Sequence, residues 1–133
     1  MTAARHAVSD GVAVLAGVRV MVCPDDGPLI DAESRATDLI GDAFGLDVAA
    51  VAVPAIRLPP AFFQLRTGLA GAVTQKFANY GFLLAVVGDV SRWTAASGAL
   101  ADFVREADRG RVVWFVADME RLAERLLARP PTR

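Results

Sequence analysis

Three short runs of apolar residues, separated by stretches with helical spacing, constrain the fold of this chain more than any other feature. The runs extend from Val48 to Val53, from Phe82 to Val87 and from Val112 to Val116. Strands that are apolar throughout are typical of parallel sheets whose two faces are both covered. Alternation of such strands with helices implies right-handed crossovers and a largely parallel sheet. The sequence therefore predicts an α/β protein.

The N-terminal part of the chain predicts an antiparallel start to this sheet. Two Val-rich runs, Val12 to Leu15 and Val18 to Cys23, are joined by an Ala-Gly pair, and short β-branched runs around a glycine are typical of a hairpin. We therefore expect a sheet of about five strands, with about four helices, in a single domain over residues 1–133. Residues 1–10 and 129–133 are expected to fray.

Four stretches carry apolar residues at helical spacing. Asp31 is the expected N-cap of the first helix, and Gly45 its expected end. Gly81 is expected to end the second helix, and Gly110 is expected to end the third. Asp118 is expected to cap the last helix. The residues expected to face inward are Ala32, Ala36, Leu39, Ile40, Ala43 and Phe44 in the first helix, Leu69, Ala70, Val73, Phe77 and Tyr80 in the second, Leu100, Phe103, Val104 and Ala107 in the third, and Met119, Leu122, Ala123, Leu126 and Leu127 in the last.

Charge and residue counts exclude several classes of function. The formal net charge is -1 and no basic run occurs, so the chain has no electrostatic footprint for nucleic acid. The longest apolar run contains Arg19 and is too short to span a bilayer, so we expect no membrane partner and a cytoplasmic location. The single cysteine, Cys23, cannot form an internal disulfide and is expected to be buried. With His6 the only histidine, we expect no metal site and no cofactor.

Catalytic residues are not evident in the sequence. Paired carboxylates at working distance are absent from the pattern, and Asp89 has no base or nucleophile beside it. A Ser-His or Cys-His pair would depend on His6, near the N-terminus. We therefore name no catalytic residue and favour a protein that binds over one that catalyses.

The segment from Phe62 to Phe82 departs from the composition of the rest of the chain. It holds the only lysine (Lys76), the only asparagine (Asn79) and the only tyrosine (Tyr80), together with four of the seven phenylalanines. The rest of the chain is rich in Ala and Arg, as expected when codons drift toward G and C. Residues kept against that drift mark this segment as the place to look for function.

Two turns predicted at the carboxyl edge of the sheet form a candidate anion site. The first is placed at the N-terminus of the second helix, where unpaired N–H groups and a basic side chain suit an anion. The second follows the next strand, and α/β folds usually bind ligands at this edge. The candidate ligand-binding residues are Arg66, Thr67, Gly68, Asp89, Ser91 and Arg92.

Each turn also has a simpler structural explanation. Thr67 could serve only to cap the helix, with Gly68 letting that helix approach the sheet. Asp89 or Ser91 could bond backbone N–H groups in a turn that enters a helix. The segment is not a phosphate-binding P-loop, because the Gly-Lys-Ser/Thr ending is missing.

Polar residues on the outer face of the second helix form a candidate interface. Gln75, Lys76 and Asn79 point away from the predicted core, and a homodimer or another protein partner would explain them. A solvated helix face is the alternative. Trp93 could anchor an interface or a lid, or its ring could simply fold over the edge of the core.

The central segment resembles a bacterial family of unknown function, domain-of-unknown-function family 4180. The resemblance rests on FFQLRTGLAG at 62–71, QKFANY at 75–80 and AVVGD at 85–89, and it extends over roughly residues 17–128. The chain departs from the family pattern at Gln64, where an acid is usual, and at Val90, where Phe is frequent. The resemblance implies no particular activity.

A more distant resemblance is to sulfate-transporter-and-anti-sigma-antagonist (STAS) domains, which also begin with a hairpin and alternate helix and strand. The segment FQLRTGL at 63–69 is similar to their Phe-Ile-Asp-Ser-Ser-Gly-Leu segment. The first Ser of that segment is a phosphorylation switch in the antagonists, and Arg66 stands at its position here, while Thr67 matches the second Ser. The resemblance implies a STAS-like fold.

The leading hypothesis is therefore a cytoplasmic, STAS-like module that acts by binding, in a regulatory or scaffolding role. The alternative is a small enzyme or ligand-binding protein that uses Arg66, Thr67 and Asp89 for a phosphorylated or carboxylated metabolite. An accessory protein of a specialised biosynthetic pathway remains a third hypothesis, which sequence does not separate from the first.

Overall fold

A computed structural model describes residues 11–131, and this range folds into one five-stranded sheet with six helices. The strands are β1 (Val12–Leu15), β2 (Val18–Val22), β3 (Ala50–Pro54), β4 (Leu83–Val87) and β5 (Val113–Val116). The helices are α1 (Glu33–Leu46), α2 (Pro60–Phe63), α3 (Leu69–Tyr80), α4 (Ser91–Ala96), α5 (Gly98–Arg109) and α6 (Met119–Ala128). Short 3₁₀ turns at Ala55–Arg57 and Leu65–Thr67 flank α2.

The sheet confirms the predicted α/β class. Strands β1 and β2 pair antiparallel as a hairpin, and every later pairing is parallel. The strand order follows the chain, β1-β2-β3-β4-β5, so each crossover places a strand beside its predecessor. The four longer helices correspond to the four predicted ones, and the two short helices lie in the connections.

Each face of the sheet carries its own hydrophobic core. Along β3, Val51 and Val53 face one core while Ala50 and Ala52 face the other, as the two-residue period of a strand requires. The larger core packs under α1, α3 and α5. The smaller one lies under α6, where the alanines leave room for a fully buried Trp114.

The ends of α1 differ from the sequence-based expectation. The N-cap is Ala32, which makes no side-chain cap bond, and Asp31 lies before it, 3.7 Å from Arg35 in an ion pair. The helix also runs past Gly45 to Leu46. It ends there because Arg19 of β2 donates hydrogen bonds to the carbonyls of Leu46 and Asp47, at 2.7 and 2.9 Å. The predictions of Asp31 as cap and Gly45 as end were therefore wrong.

Four residues predicted to be inward are exposed instead, the first being Ala32 at the N-cap of α1. Phe44 is 52% exposed, Tyr80 44% and Leu127 75%. Leu127 follows the buried Leu126 and is therefore rotated about 100° from it, off the stripe that faces the sheet. Phe44 and Tyr80 instead meet edge-on at the margin between α1 and α3, with ring centroids 5.9 Å apart.

The C-terminal helix begins as predicted, since Asp118 accepts a hydrogen bond from the Arg121 amide at 2.8 Å. Beyond it, Arg129 Nη2 donates to the Arg109 carbonyl, and Arg111 donates to the Pro130 carbonyl, in a stretch expected to fray. Residues 1–10, which include His6, and residues 132–133 lie outside the described residues, so their expected fraying stays a prediction. No helix within 11–131 is both long enough and apolar enough to cross a membrane.

Candidate functional site

Three connections that leave the sheet at its carboxyl edge, after β2, β3 and β4, enclose a cleft. Strands β3 and β4 end side by side, with Pro54 in register with Val87. The chain then turns into the proline-rich segment 55–60 on one side and into 88–93 on the other. Because the strand order never reverses, the cleft is shaped by these connections rather than by a topological switch point.

The cleft has a volume of about 670 Å³, a size typical of small-molecule sites. Most of its wall is apolar, and its charged side chains are two carboxylates and one guanidinium. The lining residues are Asp25, Leu29, Pro54, Ala55, Ile56, Leu58, Pro59, Pro60, Val87, Gly88, Asp89, Arg92 and Trp93.

Gly88 allows the two walls to approach each other. Its φ is 142°, a value that side chains rarely adopt, and an added Cβ would lie 2.9 Å from the Cβ of Ala55. Any larger residue would strain the backbone and push the end of β4 away from the 3₁₀ turn. The glycine therefore helps to set the width of the cleft.

Trp93 forms a fixed aromatic wall. Its ring stacks on Phe63 with centroids 4.9 Å apart and planes 4° from parallel, and Phe63 in turn meets Phe62 edge-on. The Arg92 guanidinium also lies over this ring, 4.4 Å from the Trp93 ring centroid. Trp93 thus packs on the edge of the core, which was the simpler explanation considered from sequence, and it also lines the cleft. Its role as an anchor of an interface or lid stays a prediction.

Asp89 and Ser91 form the helix-entry turn that the sequence offered as the structural alternative. Asp89 Oδ1 accepts a hydrogen bond from the Ser91 amide at 2.8 Å. Hydrogen bonding by the Ser91 side chain, and then by its amide, lowers the pKa of the exposed Asp89 carboxyl below its ordinary value, so the group is ionised at neutral pH. Asp89 lines the cleft, whereas Ser91 does not.

The other half of the predicted anion site lies elsewhere. Arg66 and Thr67 belong to the 3₁₀ turn before α3, and they do not line the cleft. The Thr67 hydroxyl lies 2.6 Å from the Ala61 carbonyl, and it also accepts from the Leu69 amide at 3.3 Å. Gly68, with a φ of 78°, is the N-cap of α3. The structure therefore brings Asp89, Arg92 and Trp93 together but leaves this turn out.

The polar row on α3 has partners within the chain. Gln75 Nε2 donates to Asn79 Oδ1 at 2.7 Å, one turn along the same helix. Lys76 Nζ lies 3.2 Å from Glu33 Oε2, which ties α3 to the start of α1. Only 28% of the Lys76 side chain is exposed. These contacts give each residue of the row a structural role within the chain. The predicted interface stays a second explanation for the row.

Sequence reasoning missed the proline-rich wall of the cleft and the residues that face it. It treated segment 54–60 only as an irregular connection. The available signal was the group of prolines directly after a buried strand, because such a segment must stay at the carboxyl edge without forming a long helix. The missed lining residues with exposed or charged side chains are Asp25, Leu29 and Ile56.

Among residues 11–131, no three His, Cys, Asp or Glu side chains are grouped so that they could hold a metal ion. A family model described as a domain of unknown function (DUF4180) matches residues 15–126. The matched range includes strands β2 to β5, the cleft and α3. No curated protein and no solved structure matches the chain.

Proposed function

The chain belongs to the family DUF4180, a domain of unknown function, and we propose that it is a non-catalytic binding module that holds a small organic anion in the carboxyl-edge cleft. The observation that carries this proposal is the aromatic and cationic wall made by Trp93 and Arg92. Phe63 stacks on the ring and the Arg92 guanidinium also lies over it, so this wall is already ordered and a ligand that packs against it needs little further ordering.

The lining of the cleft defines the class of ligand. Ile56, 72% exposed, and Leu29, 49% exposed, offer apolar surface at the rim. Within residues 11–131, Arg92 is the only cation that lines the cleft, and no carboxylate lies within ion-pair distance of it. Asp89 is already occupied by the Ser91 amide. These features favour a ligand with an aromatic or aliphatic body and one carboxylate or phosphate.

Thermal protection by phenyl phosphate tests this proposal. A compound that binds only the native state raises the melting temperature by mass action. We expect phenyl phosphate to protect the parent protein more than inorganic phosphate does, because only the former can pack on Trp93. Arg92→Ala should remove most of this protection.

Arg66→Ala is the matched control, since it removes the same side chain from a turn outside the cleft. This variant should keep the protection of the parent. If phenyl phosphate protects the Arg92→Ala variant as well as the parent, the proposal is contradicted. If only the Arg66→Ala variant loses protection, the anion site lies at the turn before α3.

A second candidate function is binding of a protein partner, with a second copy of the chain as the first choice. The specific observation in its favour is that the partly exposed rings of Phe44 and Tyr80 lie at the same α1–α3 surface as Lys76. Aromatic surface with a polar rim is typical of interfaces. A regulatory role would follow from binding such a partner. This role and the STAS-like character of the chain are supported by the sequence resemblance alone.

A further inference from the structure

A second cavity, of about 530 Å³, lies beside the end of β2 and under α1. The loop 24–29 separates it from the cleft, because Pro24 and Pro28 line this cavity while Asp25 and Leu29 line the cleft. Its wall is mainly apolar and includes Met21, Leu39 and Leu46. A concave apolar surface of this size suits a small organic molecule.

Among the described residues, one buried cation, Arg57, lines this mainly apolar cavity, and the carboxylate of Asp42 lies at its exposed wall. Only 5% of Arg57 is exposed. Its Nε donates to the Pro28 carbonyl at 2.9 Å, and its Nη1 donates to the Pro24 carbonyl at 3.1 Å. The guanidinium lies against the backbone of Gly27, where an added Cβ would come within 2.6 Å of both Nη atoms. The side chain is thus held in one position by the loop.

The charge of Arg57 has no acidic partner within the described range. No carboxylate of residues 11–131 lies within 4.0 Å of its guanidinium. Cys23, which lines the same cavity, offers no counter-charge, since burial raises the pKa of its thiol to about 11. Asp42 is exposed at the cavity wall and forms no ion pair with Arg57. Two backbone carbonyls offset only part of the cost of burying a full charge.

We propose that this cavity is a second binding site, which takes a molecule with an apolar body and a single carboxylate. The carboxylate pairs with the Arg57 guanidinium, and the apolar body packs on Met21, Leu39 and Leu46. A bound carboxylate would supply the counter-charge that Arg57 lacks, while the apolar wall would exclude di- and triphosphates. No residue lines both this site and the cleft that contains Arg92.

Binding of octanoate, compared with octanamide, tests the role of the charge. The two probes share one apolar chain and differ in the head group. Octanoate brings a full negative charge to the guanidinium, whereas octanamide brings only a neutral carbonyl oxygen, so octanoate makes the stronger interaction. We therefore expect octanoate to bind the parent protein several-fold more tightly than octanamide, by calorimetry or thermal shift.

Two glycines of α1 provide matched variants that leave Arg57 in place. Gly45 lines the cavity and Gly41 does not, and an added Cβ at either position meets open space. Leucine in a helix interior is also more favourable than glycine, so both variants should fold. Gly45→Leu should weaken octanoate binding by narrowing the cavity, and Gly41→Leu should bind as the parent does. Arg57→Gln, if folded, should bind the two probes equally.

Several results would overturn the proposal. Equal affinity of the parent for octanoate and octanamide would remove the role of Arg57. Equal octanoate binding by the Gly45→Leu and Gly41→Leu variants would place any binding outside the cavity. Absence of octanoate binding to the parent, up to the solubility limit of the probe, would remove the site itself.

Discussion

At the scale of single residues, burial of Cys23 makes stability depend on alkaline pH. The thiol is 6% exposed, and desolvation raises its pKa from 9.0 to about 11, an increase that the nearby Arg57 guanidinium partly offsets. Between these values the unfolded chain loses the proton while the native state keeps it. This contribution to stability is therefore complete below pH 9 and is lost as the pH rises toward 11, by roughly 2–3 kcal/mol.

Urea unfolding of the parent and of Cys23→Ala, each measured between pH 8 and 11, checks this prediction. Lysine and tyrosine side chains ordinarily titrate near this range as well, so the difference between the two proteins is the informative quantity. The parent should lose stability more steeply than the variant does. Parallel curves would contradict the expected burial of a neutral thiol.

At the scale of elements, α3 is held to the sheet by a narrow apolar stripe. Ala70, Val73 and Phe77 are buried, and Phe77 has no exposed surface. Phe77→Ala should lower the free energy of unfolding by roughly 3–5 kcal/mol, because it removes a large buried side chain and leaves a cavity. Urea unfolding measures this loss. Leu127→Ala is the control and should change stability little, because Leu127 is 75% exposed. A Phe77→Ala variant as stable as the parent would contradict the packing of α3.

Some features of these elements could be predicted from sequence, and others could not. The run from Phe82 to Val87 is apolar throughout and lies between two glycines. This is local information, so β4 was predicted correctly, as was the hairpin. The N-cap of α1 was predicted wrongly. Asp31 forms an ion pair with Arg35 instead of capping the helix, and the sequence pattern alone did not indicate this contact. The end of α1 depends on Arg19, distant in sequence but adjacent in space.

For a similar reason, only Asp89 and Arg92 of the six candidate ligand-binding residues line the cleft, and their role in binding stays a prediction. Asp89 and Arg92 follow a strand directly, so their place at the carboxyl edge was determined by local sequence. Arg66 is separated from β3 by α2 and a 3₁₀ turn, and its position depends on how those short elements fold back. Arg57 gave no local signal at all, because its burial results from the loop 24–29 closing over it.

At the scale of the whole molecule, the polar row on α3 has two explanations that can be separated. The ion pair between Lys76 and Glu33 joins α3 to α1 within one chain, and a partly exposed pair of this kind contributes at most about 1 kcal/mol. An interface formed by the same surface would instead give a dimer, for which a two-fold axis is the commonest arrangement. Lys76→Glu disrupts both, so on its own it does not distinguish them.

Adding Glu33→Lys to Lys76→Glu separates the two roles, because the double variant restores the ion pair with its charges exchanged. We expect the parent to sediment as a dimer at high concentration and Lys76→Glu to weaken that dimer through a repelled or unpaired charge. The double variant should regain the stability of the parent to chemical denaturation. Its dimer should still be weakened, since position 76 would face the partner with the opposite charge. A parent that stays monomeric at high concentration would remove the homodimer. The row would then have only its contacts within the chain, and the cleft and the Arg57 cavity would remain as candidate binding sites.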